Sequence, residues 1–169
     1  MCGIVGYVGQ RPVQEILLAG LQKLEYRGYD SAGIALVDDG GGLFVEKKAG
    51  KLANLEVAIA DRTPHAALGL AHTRWATHGR PNDLNAHPQM DCTGRITVIH
   101  NGIIENFNEL KQELRAGGWS FGTDTDTEVI ANLVSLELER QPDLLAAVRA
   151  AGSRLEGHYA FAIVRGVAD

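Results

Sequence analysis

The sequence predicts an α+β fold, and three observations support this prediction. Apolar runs of strand length follow one another across turn signals instead of alternating regularly with helices. Several helical patterns occur in succession in the second half of the chain. Segregated strands and helices favour α+β layers over a regular βαβ series. The chain of 169 residues is long enough to bury a core, so we expect residues 1–169 to form one domain.

Five elements are predicted in the first part of the chain. Apolar residues recur at helical spacing between Pro12 and Gly28, which are typical residues at the start and end of a helix. The turn sequence DDGGG joins two strands as a hairpin. In order, the elements are a strand over 3–9, a helix over 12–28, strands over 31–37 and 43–50, and a helix over 52–60.

Six further elements are predicted in the rest of the chain. They are strands over 66–73 and 95–101, helices over 106–118, 125–139 and 142–156, and a strand over 158–166. The sequence then ends at VAD without a terminal helix, from which we expect a domain truncated at its C-terminus.

The composition argues against several functional classes. The formal net charge is −5, and no run of lysine or arginine is longer than two, which disfavours a nucleic-acid partner. No window approaches the roughly 20 apolar residues of a membrane span. The first apolar run has no basic segment before it and ends at Gly9, unlike a signal peptide. We therefore expect a cytoplasmic protein with neither a nucleic-acid nor a membrane partner.

Cys2 and Cys92 are the only cysteines. Two cysteines are too few for a disulfide framework, and they lack the spacing of metal ligands. We therefore expect a reducing compartment, no metal and no cofactor. N-myristoylation needs a glycine directly after Met1, and here Gly3 comes one place later. S-acylation of Cys2 remains open, although no polybasic patch supports it. Cys92, in MDCTGR, matches no functional motif.

Cys2 becomes the N-terminal residue if Met1 is removed. Its free α-amine, with a reference pKa of about 7.7–8.0, is then partly neutral and able to act as a base. An N-terminal amine that activates its own side-chain nucleophile is a known arrangement for covalent catalysis. Gly3 would allow close approach of a substrate. The alternative is an incidental small residue after methionine.

Three other motifs suggest complementary binding groups. In HTRWATHGR, residues 72–80, the planar guanidinium of Arg74 suits capture of a carboxylate, although a solvated loop is the alternative. In TDTDTEV, residues 123–129, carboxylates gather at a helix start, where they would receive an ammonium group or simply cap the helix.

The third motif is HNGIIEN, residues 100–106, in which Asn101 and Gly102 supply a side-chain amide and a backbone N–H. Together these donors would form an oxyanion hole, and an ordinary Asn-Gly turn is the alternative. A thiol, an oxyanion hole, a cation and an anion together suit an amino acid that has a side-chain amide. Glutamine is the obvious substrate, with glutamate as product.

Six motifs in this order resemble the glutaminase domain of the glucosamine-6-phosphate synthase family, a class II glutamine amidotransferase. They are CGIVGYVG, LEYRGYDSAGIA, AHTRWATHG, NAHP, HNGIIEN and TDTEV, and the likeness covers essentially the whole chain. The resemblance implies the N-terminal-nucleophile hydrolase fold, with two antiparallel sheets between helical layers (αββα).

The resemblance also implies roles for individual residues. Cys2 corresponds to the nucleophile, and Asn101 with Gly102 to the oxyanion hole. Arg74 and Asp126 match the positions that hold the carboxylate and amine of the substrate. The loop that folds over glutamine corresponds to Trp75, Thr77 and His78, and a position near the catalytic cysteine corresponds to Arg27.

Two departures from the family pattern leave alternatives open. Because GTDTDTE repeats Thr-Asp, Asp124 competes with Asp126 for the amine-binding role. The sugar-isomerase domains that follow in the family have no counterpart here, and the resemblance implies that the full-length enzyme is a homo-oligomer. The rival functions are the glutaminase half of a purine or asparagine amidotransferase, and a non-catalytic module that binds amino acids.

Overall fold

The fold consists of two antiparallel sheets enclosed by helices. The structure is a computed structural model and describes residues 2–62 and 64–167. The first sheet has the strand order β1-β4-β2-β3 and the second the order β5-β6-β7, and every neighbouring pair is antiparallel. The strands are β1 Gly3–Val8, β2 Ser31–Asp38, β3 Leu43–Ala49, β4 Ala66–Arg74, β5 Gln89–Met90, β6 Ile96–Ile104 and β7 Gly157–Arg165.

Five α-helices accompany these strands in the described part of the chain. They are α1 Val13–Leu24, α2 Leu52–Ile59, α3 Phe107–Ala116, α4 Thr127–Arg140 and α5 Leu144–Gly152. A 3₁₀ turn, Glu25–Arg27, follows α1, so the helix predicted over 12–28 ends its α-helical part at Leu24. The helix predicted over 142–156 is likewise shorter than its sequence pattern and ends at Gly152.

Three apolar clusters show that the layers are stacked as helix, sheet, sheet, helix. Leu17 and Leu21 of α1 and Leu55 of α2 pack with Ile34 on the outer face of the first sheet. The inner faces of the two sheets meet in a cluster built on Ala35, Leu70, Ile99 and Val164. On the far side, α3, α4 and α5 pack on β6 in the largest cluster. The predicted αββα arrangement is therefore confirmed.

The helix α4 is the most enclosed of these elements. Every residue from Thr127 to Ser135 is buried, including polar ones. Asn132 satisfies two backbone groups, since its Oδ1 accepts from the Cys92 N–H and its Nδ2 donates to the Ser120 carbonyl. Ser135 donates to the Asp91 carboxylate. The helix can be buried on all sides without a large desolvation cost, because its polar side chains have hydrogen-bond partners.

Two features of the second sheet were not predicted. The strand β5, Gln89–Met90, is too short to leave a periodic pattern, and it forms because it pairs with Val98 and Thr97. The strand predicted over 95–101 continues to Ile104, paired with β7 throughout. The alternative of an Asn-Gly turn at Asn101 is therefore wrong, because Asn101 and Gly102 both pair with β7 within the strand.

Candidate active site

The candidate site lies where the two sheets approach each other near the start of β1. A cavity of about 200 Å³ opens there. Six residues named by sequence reasoning line it: Cys2, Arg74, Trp75, Thr77, Gly102 and Asp126. Arg27, His78 and Asn101 are not among its lining residues, although Asn101 contacts Cys2 directly.

Cys2 is held between Asn101 and Trp75. The Nδ2 of Asn101 donates a hydrogen bond to the Cys2 carbonyl oxygen at 3.2 Å. The backbone N–H of Trp75 donates to the Cys2 Sγ at 3.1 Å. The thiol is half-buried at the cavity wall. Met1, on which the predicted free amine depends, lies outside the described residues.

Gly102 requires the absence of a side chain. Its φ is 122°, in a region that favours glycine, and a Cβ added here would lie 2.2 Å from the carbonyl oxygen of His158. Gly102 is nevertheless exposed on its cavity side. The strand therefore presents bare backbone to the cavity directly beside the Asn101 amide.

Arg74 is a buried cation at the end of β4, with only 3% of its surface exposed. Its Nη2 donates to the carbonyls of His78 and Gly79, which ties the guanidinium to the following loop. Its Nη1 is buried and has no hydrogen-bond partner in the described part of the chain. Burial lowers the pKa of Arg74, whereas nearby Cys2 and Asp126 oppose that shift. The site thus contains an unused donor on a positive group.

Asp126 and Asp124 occupy different environments. Asp126 is buried, lines the cavity and accepts from the Ile104 N–H at 3.0 Å. Asp124 is exposed and exchanges hydrogen bonds with Asn85 away from the cavity lining. The geometry therefore favours Asp126 over Asp124 as the partner of a ligand.

The helix-capping alternative for this motif is wrong in detail. Asp126 occupies the N-cap position of α4 but makes no side-chain cap hydrogen bond. Glu128 instead reaches backwards, and its carboxylate accepts from the backbone N–H groups of Gly122 and Thr123 at 2.8 Å each. The turn before α4 is stabilised by Glu128, which leaves Asp126 directed at the cavity.

The loop after β4 covers one side of the cavity. Trp75 and Thr77 line it, both exposed, and the Ala76 N–H donates to Asp30 at 2.9 Å. The Nδ1 of His78 lies 4.0 Å from the Oδ2 of Asp126. Arg27 stands in the 3₁₀ turn after α1, outside the cavity lining.

Three buried histidines near the cavity received no role from the sequence. His72 and His87 pack with ring centroids 4.5 Å apart. The Thr127 hydroxyl lies 2.9 Å from His87 Nε2 and 3.0 Å from His100 Nδ1. Burial lowers the pKa of all three side chains, that of His72 to about 4. Each of the three lies in a motif that the sequence analysis singled out, AHTRW, NAHP or HNGII, and these motifs were the signal that could have drawn attention to them.

Comparison with known proteins identifies this arrangement. A family model for a glutamine amidotransferase domain matches residues 72–168, more than half of the chain. The chain belongs to the glutamine amidotransferase domain family. The amidotransferase domain also resembles glutamine phosphoribosylpyrophosphate amidotransferase from B. subtilis, with a TM-score of 0.81, 28% identity and coverage of 98% of this chain and 35% of that one. This likeness confirms the N-terminal-nucleophile fold.

Closer relatives in sequence carry a different name. The glutamine–fructose-6-phosphate aminotransferase (isomerizing) of Mycolicibacterium smegmatis is 54% identical, covering 94% of this chain and 27% of the relative. The protein of the same name from Streptomyces coelicolor is 52% identical, covering 100% of this chain and 27% of the relative. The amidotransferase domain thus spans about a quarter of the length of these relatives.

Two further observations concern the amidotransferase domain as a whole. No helix among residues 2–62 and 64–167 is both long and apolar enough to cross a bilayer. Over the same residues, no group of three or more histidine, cysteine, aspartate or glutamate side chains is arranged to hold a metal ion.

Proposed function

We propose that this amidotransferase domain hydrolyses the side-chain amide of glutamine through a thioester on Cys2. One observation carries the proposal: the amide donor of Asn101 contacts Cys2, while Arg74 and Asp126 line the same cavity as the thiol. A nucleophile beside preorganised donors is what acyl transfer requires. Opposite charges nearby match the carboxylate and ammonium of an amino acid.

The reaction divides into two balanced halves. The α-amine of Cys2 takes the thiol proton, and Sγ forms a bond to the amide carbon of glutamine. The resulting oxyanion accepts hydrogen bonds from Asn101 Nδ2 and the Gly102 N–H. The amine returns the proton to the amide nitrogen, the C–N bond breaks and ammonia leaves. Water then cleaves the C–S bond and releases glutamate with the free thiol.

The remaining site residues bind and cover the substrate in this proposal. Arg74 binds the α-carboxylate through its unpartnered Nη1, and Asp126 binds the α-ammonium group. Trp75, Thr77 and His78 fold over glutamine. Arg27 is placed close to the cysteine in this proposal, since the next residue, Gly28, packs tightly on the backbone of Arg74.

In a longer protein, the ammonia would be passed to fructose 6-phosphate to make glucosamine 6-phosphate. Relatives with 52–56% identity are named for that sugar phosphate, whereas the phosphoribosylpyrophosphate enzyme is 28% identical. We propose sugar-isomerase domains beyond residues 1–169 as the partners of this domain, within a cytoplasmic homo-oligomer.

The test is a glutaminase assay on the chain, with mass spectrometry to verify that it begins at Cys2. We expect glutamate and ammonia in equal amounts, loss of both in Cys2→Ala, and full retention in the matched variant Cys92→Ala. A chain that keeps Met1 should be inactive, because an amide nitrogen is not basic. Absence of glutamate from the mature chain, or its release by Cys2→Ala, would refute the proposal.

The proposed transfer of ammonia to a sugar phosphate is tested by adding fructose 6-phosphate to the same assay. We expect the 169-residue chain to make glutamate but no glucosamine 6-phosphate, and a protein of the relatives' full length to make both. Amino sugar formed by this chain alone would contradict the division of labour between domains.

A further inference from the structure

The side-chain amide of Asn101 acts as an oxyanion donor only in one of its two orientations. Its nitrogen must point toward Cys2, because an amide oxygen there would repel a developing negative charge. In the structure Nδ2 donates to the Cys2 carbonyl, and Oδ1 lies 2.8 Å from His72 Nε2. The orientation of Asn101 therefore depends on whether His72 Nε2 carries a proton.

A backbone carbonyl settles the protonation of His72. The carbonyl oxygen of His100 lies 3.1 Å from the same Nε2, and such an oxygen only accepts hydrogen bonds. His72 Nε2 must therefore be a donor, and it is shared between the His100 carbonyl and Asn101. A flipped Asn101 would place its NH₂ group against this N–H, so that two donors faced each other.

The environment of His72 keeps it in this one state. The side chain is fully buried, and its Nδ1 has no partner among the described residues. A second proton would create an unpaired buried charge, and burial lowers the pKa of His72 to about 4. The ring stays neutral at the pH of the cytoplasm, with its single proton on Nε2.

We propose that His72 is a positioning residue for the reaction: its Nε2–H holds the Asn101 amide with the nitrogen directed at Cys2. This inference rests on the proposed glutaminase function. His72 acts through Asn101 and not on the substrate, because it is fully buried and does not line the cavity. Its place in β4, between Ile4 of β1 and Gly33 of β2, fixes the donor in the middle of a sheet.

Two replacements of similar volume separate the hydrogen bond from packing. His72→Gln retains an N–H donor near the position of Nε2, and His72→Met has none. In the glutaminase assay we expect His72→Met to lower kcat by about 10- to 100-fold with KM changed less than threefold, and His72→Gln to stay within about fivefold of the parent. In the Asn101→Ala background, His72→Met should cause no further loss of kcat, because the side-chain amide that His72 orients is gone.

A second measurement does not depend on turnover. The side-chain NH₂ signals of Asn101, identified in an NMR spectrum by their loss in Asn101→Ala, should shift in His72→Met and return in His72→Gln. An inactive parent chain would refute the glutaminase function, and the NMR comparison would still test His72. Unchanged NH₂ signals in His72→Met, or equal kcat losses for Met and Gln, would overturn the inference.

Discussion

Asn101 and Gly102 are neighbours in β6: the Asn101 amide donates to the Cys2 carbonyl, and Gly102 lines the same cavity as the thiol. We expect Asn101→Ala to lower kcat for glutamine hydrolysis by about 10²–10³-fold, equivalent to ~3–4 kcal/mol, because this donor acts where charge develops. KM should change little. Steady-state kinetics measure both constants, and a raised KM with normal kcat would assign Asn101 to ground-state binding instead.

Asp126 and Asp124 form a natural matched pair for testing substrate recognition. Asp126→Asn keeps an oxygen for the Ile104 N–H but removes the charge, so we expect KM for glutamine to rise by about 10- to 100-fold. Asp124→Asn should leave KM within twofold, since Asp124 is exposed and bonded to Asn85. The opposite result would transfer the amine-binding role to Asp124.

Residue identity was easier to predict than residue environment. Motif order pointed to Cys2, Arg74 and Asp126, which the structure brings to one cavity. The part played by His72 was invisible, because its importance lies in which atoms of β6 face it across the sheets. The same holds for Glu128, whose reach back to Gly122 and Thr123 replaces the expected cap.

At the scale of elements, Lys47 of β3 stabilises the segment that carries His87. Its Nζ donates to the carbonyls of Leu84 and Pro88 and to Gln89 Oε1, at 2.9–3.2 Å. Close approach of this segment also needs Gly33 of β2, where a Cβ would lie 2.0 Å from the His87 carbonyl. Three acceptors therefore share one ammonium group, and among the described residues only the Leu84 carbonyl has a second donor, Gln89 Nε2.

We expect Lys47→Met to lower the free energy of unfolding by about 1–3 kcal/mol, because the Pro88 carbonyl and Gln89 Oε1 lose the ammonium donor. The neighbouring Lys48→Met is the control, since the ion pairs of Lys48 with Glu46 and Asp83 are screened by solvent, and its loss should destabilise the domain less than Lys47→Met does. Urea unfolding gives both values. Equal losses would show that Lys47 has no special role.

The elements themselves followed the sequence closely wherever periodicity was long. The hairpin of β2 and β3 has the predicted turn, and α3 and α4 lie within a few residues of their predicted bounds. The ends of elements differ where tertiary contacts decide them. For example, pairing with β7 extends β6 past an Asn-Gly sequence that would otherwise favour a turn.

At the scale of the whole molecule, the three buried histidines make stability depend on pH. Their pKa values are lowered in the folded state, that of His72 from 6.5 to about 4. Between these values the unfolded chain binds more protons, so stability is fully present above pH 6.5 and falls as the pH drops toward 4. His72 contributes up to about 1.4 kcal/mol per pH unit in this window.

Thermal unfolding between pH 7 and pH 4.5 measures this effect. We expect the dependence of the free energy of unfolding on pH to be weaker in His72→Gln than in the parent, by the contribution of one proton. A slope unchanged by His72→Gln would mean that His72 is protonated in the folded state at these pH values.

The enclosure of α4 has a consequence for motion. The helix is buried on all sides from Thr127 to Ser135. We therefore expect its backbone amides there to exchange with deuterium only when the whole domain unfolds. Residues 75–80 have no helix or strand and should exchange orders of magnitude faster through local opening. Exchange rates measured by NMR or mass spectrometry would contradict this if both segments were equally protected. If the two segments differ as expected, substrate enters between two unlike walls. One is fixed, with Asp126 at the start of α4, and the other opens and closes many times before the protein ever unfolds.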